Sequence, residues 1–129
     1  MSKYEVQKIP VDSVIRAVEE STRASVTIEA NKPLKRGTIL MRGDGDKFKP
    51  YATGVADNAA IASAIALEDI DNNAAGDYNI AVLIKGEADK KRVIVQGSEA
   101  GVGITTAIVD NLRMYSIFLK DYTDIAQQE

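Results

Sequence analysis

Val26-Thr27-Ile28, Leu34-Lys35-Arg36-Gly37-Thr38-Ile39-Leu40, Gly45-Asp46-Lys47-Phe48-Lys49-Pro50-Tyr51 and Ala62-Ser63-Ala64-Ile65-Ala66-Leu67-Glu68-Asp69, with Gly86 beyond them, decide how this chain is read. Their β-branched pairs are each closed by Gly, Pro or Asp turn chemistry, the pattern of short strands in a compact β-domain, and nothing in them requires catalysis. Pro33 and Gly37 bracket a turn that delivers the chain from the Val26–Ile28 strand into a strand over Thr38–Met41. Asp44-Gly45 is a hairpin signal between a strand ending near Arg42 and one starting near Phe48, whose Phe48 and Tyr51 help cover the core. The glycines of Gly43-Asp44-Gly45 resemble a phosphate cradle only superficially. No Gly-Lys-Ser/Thr ending follows, no helix pattern follows, and two carboxylates would repel phosphate.

Downstream, Ser63–Leu67 reads as a strand, 71–77 as a loop and Tyr78–Lys85 as a further strand. Ile80-Ala81-Val82-Leu83-Ile84 is apolar on both faces and is expected to be the most buried strand, with Gly86 ending it. Asp69-Ile70-Asp71-Asn72-Asn73 has the alternating oxygen ligands of a calcium loop. It fails further on, with Ala74 where glycine is needed and Ile80 where the bidentate glutamate belongs. After a charged connection, Val93-Ile94-Val95 suggests a short strand. Gly101-Val102-Gly103 is too short for a dinucleotide fingerprint. Ile104, Ala107, Ile108, Leu112 and Tyr115 recur at helical spacing with Thr105 or Thr106 as cap, and Ser116–Lys120 forms one more strand before a polar tail.

Upstream, Val14, Ile15 and Val18 have helical spacing, yet the β-branched content of 12–23 equally suits a strand; a short helix or turn opened by Asp12 or Ser13 is the reading preferred here. Tyr4, Val6 and Ile9 alternate with polar neighbours until Pro10. That segment is either an edge strand or frayed terminus, or an arm that adds a strand to a partner's sheet. The expected organisation is an N-terminal arm or extension over 1–23 and a single β-rich domain over 24–129. The fold class is mainly β with one or two short helices.

Composition narrows the function. At 129 residues the chain fits one domain able to bury roughly two thirds of its unfolded surface. With 45% apolar and 27% charged residues it has the balance of a globular protein. It contains no cysteine and no histidine, so it has no disulfide framework, no thiolate nucleophile and no imidazole ligand. The 16 basic and 19 acidic residues leave a net charge of −3, without the basic excess that phosphate-dominated binding needs, so nucleic acid is not an expected partner. No apolar stretch approaches the ~20 residues of a membrane span, and Met1–Lys8 has no signal-peptide core, which leads us to expect no membrane partner and a cytoplasm-like compartment. No cofactor is expected.

The order "VTI…LKRGTIL…GDGDKFKPY…AIALEDID…VLIKGE", with the closing "VDNLRMYSIFLKD", resembles the head decoration proteins of tailed bacteriophages, the family of the phage lambda head protein D. The resemblance runs from about Val26 through Leu119; the section Met1–Arg23 is longer than in the lambda protein. None of the matching pieces is a reaction signature, so the likeness lies in their order and spacing. It implies a small mixed β-domain of the β-clip type that assembles as a homotrimer at three-fold positions outside the expanded head. It also implies the major capsid protein as partner, the outer head surface of the virion as location, and the host cytoplasm during assembly. On that reading Tyr4, Val6 and Ile9 are capsid-contact candidates, while Phe48, Tyr51, Tyr115 and Phe118 are trimer-interface candidates. Three arms on one trimer gain attachment through effective concentration.

Two other classes remain open: an oligomeric virion or tail-associated binding module, and a small-molecule-binding enzyme of the same fold type. An enzyme would have to rest on Glu68, Asp69 and Asp71 beside Lys85 or Lys90, carboxylates that a solvated turn at a strand end equally explains. No catalytic and no metal-ligating residues are assigned.

Overall fold

The longest elements are two strands that lie side by side. β1 (Ile15–Ile28) runs antiparallel to β5 (Gly76–Asp89) from Ile15 opposite Ala88 to Ile28 opposite Gly76. The computed structural model describes residues 13–43, 45–51, 61–71 and 74–121. Between the long strands come β2 (Ile39–Arg42), β3 (Phe48–Pro50) and β4 (Ala62–Ala66), and after them α1 (Thr106–Met114) and β6 (Ile117–Lys120). The sheet order is β1-β3-β2-β4-β5-β6, and the additional β1–β5 pairing closes the first five strands into a ring. β6 joins β5 in parallel at Gly86–Asp89, beyond the point where β4 pairs at Val82 and Leu83. The result is a small barrel-like sheet, mainly β with one short helix.

Side-chain alternation on these strands sorts the apolar residues into two clusters. Val26, Ile28, Leu34, Leu40, Phe48, Ala64, Ala66, Ile70, Ile80 and Val82 fill the ring. Ile15, Ile39, Met41, Ile65, Leu83, Ala88, Val93, Val95 and Ile117 form a second layer that the helix covers with Ile108 and Leu112. β4 lies between the layers, so all five of its residues are buried. Its Ala-Ser-Ala-Ile-Ala sequence supplies the small volumes that allow both layers to pack closely. A bulge leaves Ser63 without an opposite residue, since the register passes from Leu40/Ala64 to Met41/Ala62. Ala62 thereby joins Ile65 in the outer layer while Ala64 and Ala66 face inward.

Several expectations hold. The strands around the 43–47 turn pair as an antiparallel hairpin, with Leu40 opposite Pro50 and Arg42 opposite Phe48. The helix starts where its cap was read, Thr105 accepting a hydrogen bond from the Ile108 N–H.

Other expectations are corrected. Residues 15–23 form neither helix nor turn but the first part of β1, so that stretch of the presumed N-terminal extension is sheet. Gly86 does not end its strand. It lies inside β5 between Val18 of β1 and Ile117 of β6, and a Cβ there would collide with the carbonyl oxygen of Ala17. Glycine is required by the close approach of β1, not by a turn. The most buried strand is β4 rather than Ile80–Ile84, where Ala81 and Ile84 are only half-buried. Val93–Val95 makes one isolated parallel bridge, Ile94 with Thr38, instead of a strand, and its two valines serve as core.

Candidate binding surface

The exposed apolar side chains concentrate where α1 passes into β6. The helix is only nine residues long, and Ile108 and Leu112 are its buried positions. It stops at Met114, and Ser116 enters the left-handed region at φ 66 to turn the chain into β6. In β6, Ile117 points into the outer layer and Leu119 packs against it, so alternation sends Phe118 and Lys120 outward. Met114 is left 77% exposed, Tyr115 41% and Phe118 38%. Beside Phe118, the Lys120 Nζ lies 3.1 Å from Glu87 Oε2.

Two strand edges flank this region. β6 is the last strand in the sheet order, so its outer edge has no strand partner among the described residues. β1 is covered on its second edge only at Val26, opposite Phe48 of β3. Its stretch from Val18 to Arg23 is exposed at every position, with Val18 itself 51% exposed. β1, β5 and β6 thus make a three-stranded patch open on both sides.

The four trimer-interface candidates divide. Tyr115 and Phe118 are on this surface. Phe48 and Tyr51 are not: at 8% and 9% exposure they belong to the ring interior and the outer layer, filling space that no shorter side chain would. The Arg42 guanidinium lies 5.5 Å from the Phe48 ring centroid and shields that ring further. Tyr4, Val6 and Ile9 lie outside the described residues. Sequence reasoning did not single out Met114, and it placed Val18 only in a helical spacing with Val14 and Ile15. Met114 departs from the Ile108/Leu112 stripe by two positions, a signal that was available; the exposure of Val18 depends on which edge of β1 is left open.

Two of the three carboxylates considered for chemistry, Glu68 and Asp69, are engaged separately. Glu68 pairs with Arg23 at 3.4 Å, and Asp69 accepts the Arg36 N–H at 2.5 Å while the Arg36 guanidinium donates to Leu67 O at 2.8 Å. Lys85 is on β5 opposite Glu20, and the Lys90 N–H donates to Lys120 O, so neither lysine is joined to these acids by a hydrogen bond or ion pair. Among the described residues no group of three acidic side chains could hold a metal ion; the loop read against the calcium pattern lies partly outside them. The Asp77 carboxyl is held below the ordinary range by the Lys47 ammonium at 2.7 Å and the Thr27 hydroxyl at 2.5 Å. A surface groove of about 570 Å³, lined by Ile28, Lys32, Pro33, Met41, Lys49 and Pro50 among others, lies on the ring near Thr27. Among the described residues no helix is long and apolar enough to cross a membrane.

Comparison with protein-family models, curated proteins and solved structures finds no match to this chain.

Proposed function

We propose that this protein is a head decoration protein of a tailed bacteriophage, binding the outer surface of the expanded head as a homotrimer and reinforcing the shell against internal pressure. The observation that carries the reading is spatial. The sequence pieces on which the family resemblance rests are brought together into one wall of the ring: Leu34 bridges Ile70, Ile39 lies opposite Ile65, and Leu40 opposite both Ala64 and Pro50. Segments that form an ordered series in the sequence are therefore mutually dependent parts of one framework.

The binding surface supports the same reading. A three-fold assembly needs two different complementary patches on each subunit. Tyr115 and Met114 on the helix side and Phe118 on the opposite face leave apolar surface exposed on both sides of the open edge of β6, while Phe48 and Tyr51 are buried. Tyr4, Val6 and Ile9 remain the capsid-contact candidates of the arm, with the major capsid protein as partner and the virion surface as location. The reading is tested by light scattering of the purified protein followed by co-sedimentation with expanded, undecorated heads. A trimer that pellets with the shells is the expected result; a monomer left in the supernatant overturns it. Deleting Met1–Pro10 should leave a folded trimer that no longer binds shells.

A further inference from the structure

We propose that copies of this chain join edge to edge, the outer edge of β6 in one copy pairing antiparallel with the open Ala17–Arg23 edge of β1 in the next. The inference rests on the oligomeric reading above and names its contact.

Direction is set by the sheet. β1 is antiparallel to β5 and β6 is parallel to it, so β1 and β6 run in opposite senses on the two sides of one patch. Rotation about an axis along the strands preserves those senses, and a sheet continued from copy to copy is then antiparallel at each junction. Two different edges meet, a heterologous contact that closes into a ring when the rotation permits.

Both faces of the junction match. Lys85, Glu87 and Asp89 alternate along β5 and share a face; opposite them lie Glu20 and Ala17 on β1, and Phe118 and Lys120 on β6. Adding β6 to β1 places the acidic Glu20 on the same face as Lys120 of the other copy. On the reverse face Val18 lies opposite Gly86, which in turn lies opposite Ile117, so exposed Val18 is carried to the side of the sheet where the helix packs and where Met114 and Tyr115 stand uncovered. Glu19 and Glu20 have no ion-pair partner among the described residues. Pairing β1 with another β1 would set these acids against each other, a repulsion that edge strands use to reject the wrong neighbour. The charge pattern thus disfavours a symmetric contact centred on Glu20, and Lys120, which also reaches Glu87 in its own copy, is the cation that the acidic β1 edge meets in the heterologous contact.

Because the chain has no cysteine, introduced cysteines report the contact directly. The full chain is made with Glu20→Cys plus Lys120→Cys, with Glu20→Cys plus Phe118→Cys to cover a two-residue shift of register, and with each substitution alone. Each is oxidised and run on a non-reducing gel, and the mass of the unsubstituted chain is measured by light scattering. We expect a multimer in solution, conversion of most subunits into covalent multimers by one of the two pairs, and no such product from single substitutions. A multimer that neither pair cross-links overturns the edge pairing and leaves the oligomeric reading standing. Covalent dimers from Glu20→Cys alone overturn it in favour of symmetric β1 contact. A monomeric mass overturns both readings.

Discussion

Replacing Gly86 with alanine tests the central strand arrangement. Gly86 has φ +156, its N–H donates to Ser116 O at 3.0 Å, and an added Cβ would strike the Ala17 carbonyl oxygen and approach Leu83 Cδ1 to 3.1 Å. The obstacle on one side is backbone, so relief requires β1 to move away from β5. The unfavourable φ costs about 1 kcal/mol. Lifting β1 weakens about two cross-strand hydrogen bonds at about 1 kcal/mol each, giving a total near 3 kcal/mol. Gly76 provides an internal control, with a similar φ of +152 and nothing within 4 Å of its added Cβ. Gly76→Ala should therefore cost only the conformational part, about 1 kcal/mol. At about 2.1 cal/mol/K per residue, the 129-residue chain unfolds with an entropy near 0.27 kcal/mol/K. The expected falls in Tm are then about 11 °C for Gly86→Ala and about 4 °C for Gly76→Ala. Thermal and urea unfolding followed by circular dichroism measure both. If Gly86→Ala costs no more than Gly76→Ala, β1 does not approach β5 as described and the three-stranded patch is wrong.

Further outcomes follow from the same packing. Leu40→Ala, which empties a fully buried position in the ring, should cost about 2–5 kcal/mol in urea unfolding. Phe118→Ala should change the unfolding midpoint by far less while lowering the mass seen by light scattering. At the ends of α1, Thr105→Ala should lose about 1 kcal/mol of cap stabilisation, and Ser116→Gly should gain about 0.5–1 kcal/mol by relieving the left-handed residue, both read from unfolding midpoints. The carboxyl of Asp77 titrates below its unfolded value because of Lys47 and Thr27. Its contribution to stability is therefore present above the unfolded value of about 3.9 and is lost as pH falls through the lower folded value. NMR titration of the Asp77 side chain should show that depressed midpoint, and Lys47→Met should move it upward.

Local signals carried a large part of this fold. The paired strands flanking the 43–47 turn, the helix with its Thr105 cap and the strand after Ser116 were all legible, because hairpins, caps and short alternating runs are specified by neighbours in the chain. The outward placing of Tyr115 and Phe118 was also within reach. By contrast, residues 19–23 of β1 are polar because both faces are exposed there, so the alternation that announces a half-buried strand is absent; only pairing with residues 81–85 makes this stretch a strand. Gly86 looked like a terminator because a glycine needed for close approach and a glycine needed for a turn are the same letter. Phe48 and Tyr51 looked equally able to serve a core or an interface, and the closing of five strands into a ring put them inside. Composition and local pattern determined a small, mainly β chain without cysteine or histidine chemistry. Which edges stay open, which aromatics are covered and which carboxylates are already paired were decided by contacts between residues far apart in sequence, whose energies no single segment contains.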